Sequence, residues 1–566
     1  MKNRKKLLVH FIICLIAALL VCMPLANGSI AMGSDTSFHI DRIEALYQAM
    51  EAGQLYPKIF WNQNFGWGYG SPLFYSDFFL IIPTWFRHLG MGILPSYRLF
   101  LFLLFFCMAC TMCHLASDVI HKDYLSTASA VLIYVFSSYL FSTIYNRGAI
   151  GEAQAAVFVP LVLHAMWGIF WKNCTKADAA ELMLGFSGLL LCHNITFFLT
   201  EMWFVIYCIV HWKMILKRKK RLYAILFAEA GAFLLTAWFS LPMLEQLDSG
   251  KYRISTYFND PEALGESGVD LKGVFDFFQY NHDLVGGANG LGETVLPLLY
   301  FTLPKNRRSG FIRDMTISGY ILLWMTTRYF PWKLFPFMSF LQFPHRLFIV
   351  NSSMLAAAAG YVFAYLPVRK QVHQEAKLSI AGVLLVTMFL QINSQYNYGG
   401  VYTDDTEESV FHDATVYFPT VDNWYNVAEI SSPDYLPADT AVVYNSPRII
   451  VHGIMKDSVF DEDSSSMSWH YDGGGEYLFP KTWYKGMKVN VVDQGNIIAA
   501  ADTAMDPTTG GCLFSLPDGL PETASIVLYY EGTGLQKLSR MASIASAVTM
   551  TCMAFMMYLQ KRIKRR

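Results

Sequence analysis

Asp35, His39 and Arg42 stand at i, i+4 and i+7 in the run Gly33-Ser34-Asp35-Thr36-Ser37-Phe38-His39-Ile40-Asp41-Arg42-Ile43-Glu44. A helix starting there, with Ser34 or Asp35 as its cap, carries all three on one face. An acid, an imidazole and a guanidinium so placed can accept a proton, hold a metal or bind a phosphate. Asp41 and Glu44 point elsewhere, and a solvated helix capped by Asp35 accounts for the same residues. A second pair, Arg147 and Glu152, lies in Asn146-Arg147-Gly148-Ala149-Ile150-Gly151-Glu152, with almost no polar loop around it. Charges near a membrane plane are costly and are kept for a role; here that is function or the locking of two helix ends. The third cluster is Gln342-Phe343-Pro344-His345-Arg346, where His345 and Arg346 can meet an anionic group, or Arg346 can simply snorkel.

Cys107, Cys110 and Cys113 with His114 have a metal-like spacing but lie in an apolar run, where cysteine is ordinary packing. His193 and Glu201 stand inside similar runs and suggest no role. No Walker A, dinucleotide-binding, HExxH or GxSxG pattern occurs in a fitting context.

Apolar segments must position these groups. Of 566 residues, 54% are hydrophobic and 15% charged, against about 25% charged in soluble proteins. Apolar runs recur at 7–26, 97–116, 125–145, 153–171, 179–193, 195–212, 223–244, 291–303, 312–327, 346–366, 378–392 and 539–559. Most are long enough to cross about 30 Å of hydrocarbon as helices, the form that pairs every backbone group in lipid. The run at 291–303 is short and reads as tilted, broken or begun earlier. The chain is therefore expected to be an α-helical polytopic membrane protein of about twelve spans.

About 25 of the 43 Lys and Arg fall in short loops on one side of that twelve-span arrangement, as the positive-inside rule asks of the cytoplasmic face. Both termini are then cytoplasmic. The run at 7–26 also resembles a signal peptide ending at Ala26-Asn27-Gly28-Ser29, but its length and the polar residues after it favour retention. A formal net charge of −1 gives no sign of a nucleic-acid partner.

The arrangement divides the chain into a membrane domain (1–392) with long outer loops at 27–96 and 245–290, an extracytoplasmic domain at 393–538, and a last span with a basic tail at 539–566. In the first loop, 38–52 has helical pattern, and 73–86 reads as an interfacial helix with Tyr75 and Trp85 at headgroup depth. In the third, alternation at 441–451, 488–492 and 525–530, separated by Gly, Pro, Asn and Asp, predicts an antiparallel β domain.

Asp35 to Asp77, with His39, Arg42, Gly53, Pro57 and Gly68-Tyr69-Gly70-Ser71-Pro72, resembles the bacterial YfhO-like and GT-C membrane glycosyltransferases. That group is also labelled a 6-pyruvoyl-tetrahydropterin synthase-related membrane domain. Arg147-Gly148-Ala149 with Glu152, and Gln342 to Arg346, look like its later motifs, although the family more often has Trp where His345 stands. Leu478 to Gly486, and Leu516-Pro517-Asp518-Gly519 followed by Tyr529-Tyr530, resemble its outer β domain. A soluble zinc chemistry such as the synthase label suggests finds no His-rich site here.

The GT-C resemblance implies inverting transfer of a sugar from a polyprenyl-phosphate donor to an envelope polymer or lipid acceptor, at the outer face of the cytoplasmic membrane. Asp35 matches the family's early acidic residue, a base or metal ligand. His39 or Glu152 would orient it, and Arg42, Arg147, His345 and Arg346 would bind substrate. The motifs demand no cofactor; a divalent cation held through Asp35 stays open, although the adjacent second acid of some members is missing. A flippase of lipid-linked saccharides would use the same residues, but no internal repeat of the kind transporters carry is visible. A scaffold without activity is the third alternative.

Overall fold

The computed structural model describes residues 2–28, 30–31, 33–64, 66–121, 123–256, 261–275, 290–366, 373–396, 401–402, 433–438, 449–456, 461–463 and 465–563. Most of the alternation expected at 441–451, the basic pair Arg369-Lys370 and the last residues of the tail lie outside them. The chain forms two compact units. The first comprises Met1–Ile40, Leu89–Ala232 and Phe258–Glu408; the second, Asp41–His88, Phe233–Tyr257 and Ser409–Arg566.

The first unit is helical: α1 (Lys2–Val21), the start of α2 (Thr36–Glu51), α3 (Ile93–Ile120), α4 (Tyr124–Val135), α5 (Ser138–Tyr145), α6 (Ile150–Met166), α7 (Lys176–Cys192) and α8 (Asn194–Val210). It continues with the first part of α9 (Lys219–Ser249), then α10 (Gly310–Met325), α11 (Phe348–Ala364) and α12 (His373–Tyr396). Every residue of α11 is buried, so this helix is the core of the unit. Small residues let its neighbours approach: a Cβ on Gly360 would meet Ala130 of α4 at 2.5 Å, and one on Gly319 of α10 would meet Leu355 at 2.5 Å.

Each apolar run expected to span is helical at least in part. Among the described residues, five helices are long and apolar enough to cross a membrane alone: Ile93–Ile120, Ile150–Trp171, Lys219–Ser249, Pro344–Ala364 and Gln374–Asn393. A sixth is added if α4 and α5, bent by 45° at Phe136 and Ser137, are one broken span. The run at 291–303 is broken, a short helix Leu291–Val295 followed by a 3-10 turn Leu296–Thr302 containing Pro297, whose ring cannot continue the α pattern. Leu378, Val383, Leu385, Val386 and Phe389 of α12, like Val205, Ile206, Ile209 and Val210 of α8, are exposed on the protein surface. Apolar faces of that extent fit lipid rather than water. The chain is a multi-pass membrane protein in contact with the bilayer, mostly helical, with a β region near its C-terminus.

The second unit contains that β region: β1 (Ser466–His470), β2 (Gly475–Thr482), β3 (Met487–Asp493), β4 (Asn496–Asp502), β5 (Gly511–Leu516) and β6 (Ser525–Tyr530). One antiparallel sheet runs Ala504–Met505, β5, β2, Ile450–Val451, Ile454–Met455; the other runs Asp461–Glu462, β1, β6, β3, β4. Met487, Val489 and Val491 alternate inward along β3 and face a shared core with Tyr477, Phe479, Phe514, Ile526 and Leu528. The strands expected at 488–492 and 525–530 are both formed. Ile59, Trp61, Leu73 and Phe74 join this core. The segment 73–86 is not one interfacial helix: it divides into Ser71–Phe74, a 3-10 turn Phe78–Leu80 and Ile81–His88. Only Trp85 of its two aromatic anchors is well exposed. The C-terminal helix α13 (Gly534–Ile563) leans on the end of α9, where Ser543 Oγ donates to Leu234 O at 2.7 Å.

Candidate functional site

The turn between α5 and α6 is built to bring Arg147 against the start of α2. Gly148 has φ +68, a left-handed conformation that favours glycine. A Cβ there would meet Thr36 Oγ1 at 2.0 Å, and one on Gly33 would meet the Arg147 carbonyl carbon at 2.5 Å. Two glycines thus let two backbones touch. The contact is closed by Asp35 N–H donating to Arg147 O at 2.7 Å and by the Ser34 hydroxyl donating to the same oxygen at 3.3 Å. Ser34 therefore bonds across the turn, and the Asp35 carbonyl accepts the first helical bond, from His39 N–H at 3.2 Å.

Glu152 stands in the first turn of α6, where the helix dipole favours an anion. It is 2% exposed and accepts four hydrogen bonds. Arg147 Nη1 and Nη2 reach Oε2 and Oε1 at 3.0 Å each, Tyr139 Oη reaches Oε2 at 2.6 Å, and Arg346 Nε reaches Oε1 at 3.1 Å. That fills the lone-pair sites of a carboxylate. Glu152 is thereby an anchor for two guanidinium groups and has no oxygen left for a proton. Arg346 Nη1 also donates to Leu341 O at 3.3 Å and to Gln342 Oε1. Gln342 adopts φ +64, a strained conformation for a residue with a side chain, and it turns the chain so that its amide meets Arg346.

Asp35 is half-buried beside these charges. Burial pushes its carboxyl above the usual carboxylate range; Arg147 and Arg346 pull it back, Glu152 adds to the rise, and the net direction is up. For Arg147 burial alone would lower the pKa, but the Glu152 carboxylate outweighs it and holds the guanidinium charged.

His345 is 3% exposed and stacks on Phe343 at 5.1 Å between ring centroids. Its Nε2 finds no hydrogen-bond partner among the described residues, although the ring feels the charges of Arg147 and Glu152. His39 is buried one turn along α2 from Asp35. The structure thus gathers Asp35, Arg147, Glu152 and Arg346, with His345 beside them, out of segments more than 300 residues apart in sequence.

Arg42 does not join them. It belongs to the second unit, where Nη2 pairs with Asp77 Oδ1 and donates to Tyr75 O and Ser76 O at 3.2 Å each. Its guanidinium also lies 4.3 Å over the Tyr75 ring. Helical spacing placed Arg42 on a face with Asp35, but the buried Asp77 is its counter-ion.

Sequence reasoning missed Tyr139 and left His193 without a role. Tyr139 sits in an apolar run with nothing to mark it. His193 caps α8, with Nδ1 accepting from Thr196 N at 3.3 Å, and feels the charge of Glu152. Glu293 was missed too: it is wholly buried, with Oε1 unpartnered among the described residues, in a pocket lined by Ser138, Thr387 and Gln391. At Asp35 a divalent cation fits poorly, because two guanidinium groups already supply the positive charge and Glu152 is saturated. Among the described residues, the set of His and acid donors close enough for a metal is elsewhere, at His114, His164 and Glu181.

An uncharacterized protein of Lactococcus lactis subsp. cremoris (strain MG1363) is 28% identical to this chain over 269 residues. The match covers 45% of this chain and 42% of that protein, so the chain spans less than half of the relative's length. No protein-family model matches the chain.

Proposed function

We propose that this protein is a GT-C-like, YfhO-related membrane glycosyltransferase with about twelve spans and both termini in the bacterial cytoplasm. It moves a sugar from a polyprenyl-phosphate donor to an envelope polymer or lipid on the outer face. The observation that carries this reading is Asp35, a half-buried carboxylate held by its own backbone against Arg147, beside a second arginine fixed on the same Glu152. A carboxyl raised by burial accepts a proton more readily than a free one.

In the reaction, the acceptor hydroxyl gives its proton to Asp35 while its oxygen attacks the anomeric carbon. The bond from that carbon to the phosphate oxygen breaks, and the phosphate leaves with the electron pair. Arg346 Nη2 makes no bond to the protein among the described residues and is available to the leaving phosphate; Arg147 adds charge behind it. Glu152 keeps both guanidiniums in place, so nothing needs to reorganise as charge develops. The β region would bind acceptor polymer.

The test is mass spectrometry of envelope glycolipids and glycopolymers from a deletion strain complemented with wild type or Asp35→Asn at matched protein levels. Loss of a sugar-sized mass increment, restored by wild type and not by Asp35→Asn, supports transfer. Full restoration by Asp35→Asn removes the base and moves the flippase or scaffold reading ahead.

A further inference from the structure

The far end of α6 carries a second cluster, independent of the one above. His114 and Asp118 are four residues apart on α3 and share a face. His164 lies in the last turn of α6, and Glu181 lies in α7. The approach of α7 to α6 is set by Gly185, one turn after Glu181: a Cβ there would meet Val162 Cγ2 at 2.7 Å. Gly188 repeats the effect against Phe158, at 2.3 Å. These glycines draw Glu181 within reach of His164.

Donor atoms of His114, His164 and Glu181 all lie within 4.8 Å of one another. His164 Nδ1 stands 2.8 Å from Glu181 Oε2, His114 Nε2 stands 3.2 Å from Glu181 Oε1, and Asp118 Oδ2 stands 3.5 Å from His164 Nε2. A tetrahedral ion with ligands at about 2.0–2.1 Å holds its donors about 3.3 Å apart. Yet, among the described residues, His164 Nε2 and Glu181 Oε1 are buried without a well-aligned hydrogen bond. Glu181 Oε1 faces His114 and His164 Nε2 faces Asp118, each with an alignment that serves hydrogen bonding poorly.

Charge points the same way. Asp118 and Glu181 have no Lys or Arg within ion-pair distance among the described residues; Lys6 reaches Asp118 only at longer range. Two carboxylates face two imidazoles here; even with one imidazole protonated the cluster keeps a net negative charge, and a divalent ion that displaces the proton would balance it. Two imidazoles and carboxylate oxygens are the donor set of borderline ions such as zinc, and neither thiolate-selecting nor all-oxygen. His114 is 47% exposed and gives the ion a way in.

We propose that His114, His164 and Glu181 bind one divalent transition-metal ion of the zinc type that ties α3, α6 and α7 together, with Asp118 facing the other ring nitrogen of His164 and orienting it.

The test uses full-length protein in detergent, stripped with chelator and dialysed against Zn2+ alone, with metal counted by elemental analysis; Co2+ substitution then reports geometry. One Zn2+ per chain and the visible spectrum of four-coordinate Co2+ are expected. Both are lost in His164→Ala and Glu181→Ala, while Asp118→Asn weakens binding about 10–100-fold. His114→Ala, at a half-exposed position, decides the matter should the buried variants fail to fold. It also abolishes stoichiometric binding while leaving the elution profile unchanged. Absence of bound Zn2+ in the wild type, or binding unchanged in His114→Ala, overturns the proposal.

Discussion

Helix α6 has a carboxylate at one end and an imidazole at the other, Glu152 and His164, about 18 Å apart along its axis. Both are buried, and their neighbours treat them oppositely. Glu152 is covered by two guanidiniums and a phenol, so every lone pair is filled. His164 faces two carboxylates and a second imidazole, with Nε2 making no well-aligned hydrogen bond among the described residues. A saturated charge is an anchor, and it fixes the positions of its neighbours, here the two guanidiniums beside Asp35. An unsaturated cluster of donors is a place where something binds. Buried charge alone therefore does not identify a site; the account of its partners does.

The sharpest contrast should come from removing each carboxylate. Glu152→Ala removes the hydrogen-bonded counter-ion of the buried Arg147 and of Arg346 and should destabilise the protein by about 3–5 kcal/mol. Thermal unfolding in detergent should show this, or a collapse of folded yield. Glu181→Ala in metal-free buffer should be much milder, since no fixed cation loses its partner. Equal effects would erase the distinction between anchor and binding cluster.

Asp35→Asn should lower sugar transfer about 10²–10⁴-fold, as loss of a general base does, with an unfolding midpoint close to wild type. A large stability loss with unchanged transfer would make Asp35 structural. Zinc at about 100 times its dissociation constant should stabilise the wild type by about 2.7 kcal/mol and leave His164→Ala unmoved. That effect should persist in Asp35→Asn, because the clusters are separate. Gly148→Ala, forced to a left-handed conformation and into Thr36, should cost about 1–3 kcal/mol and reduce transfer by displacing Asp35. The smallest effect is in the pH profile. Asp35 must be ionised to act as base, so kcat/KM should fall as pH decreases through a pKa above the ordinary aspartate range. A limb at or below that range would contradict its burial.

Much of this was legible in the chain. Runs of apolar residues demand helices because lipid offers no partner to an open backbone. Alternation in β3 and β6 likewise read directly as strands with one buried face. Arg147 and Glu152 stood out because charges between two apolar runs need a reason. Other features were invisible. The bend between α4 and α5 falls at a serine pair, Ser137-Ser138, which does not by itself announce a broken span, and Tyr139 carries no signal among its apolar neighbours. Arg42 shared a helical face with Asp35, but its partner Asp77 is 35 residues away and local spacing says nothing of it.

Composition and periodicity by themselves determined that this is a multi-pass membrane protein with a β region, because the bilayer's thickness and dryness act on every residue of a span. They also singled out the charged residues that had to be accommodated. Which charges meet was decided by the tertiary structure alone. Glycines at 33, 148, 185 and 188 set how closely segments approach, and distances of a few tenths of an ångström separate an ion pair from a metal ligand set. Local sequence governs the conformation of each segment, whereas electrostatics at contact range depends on how segments distant in the chain are packed.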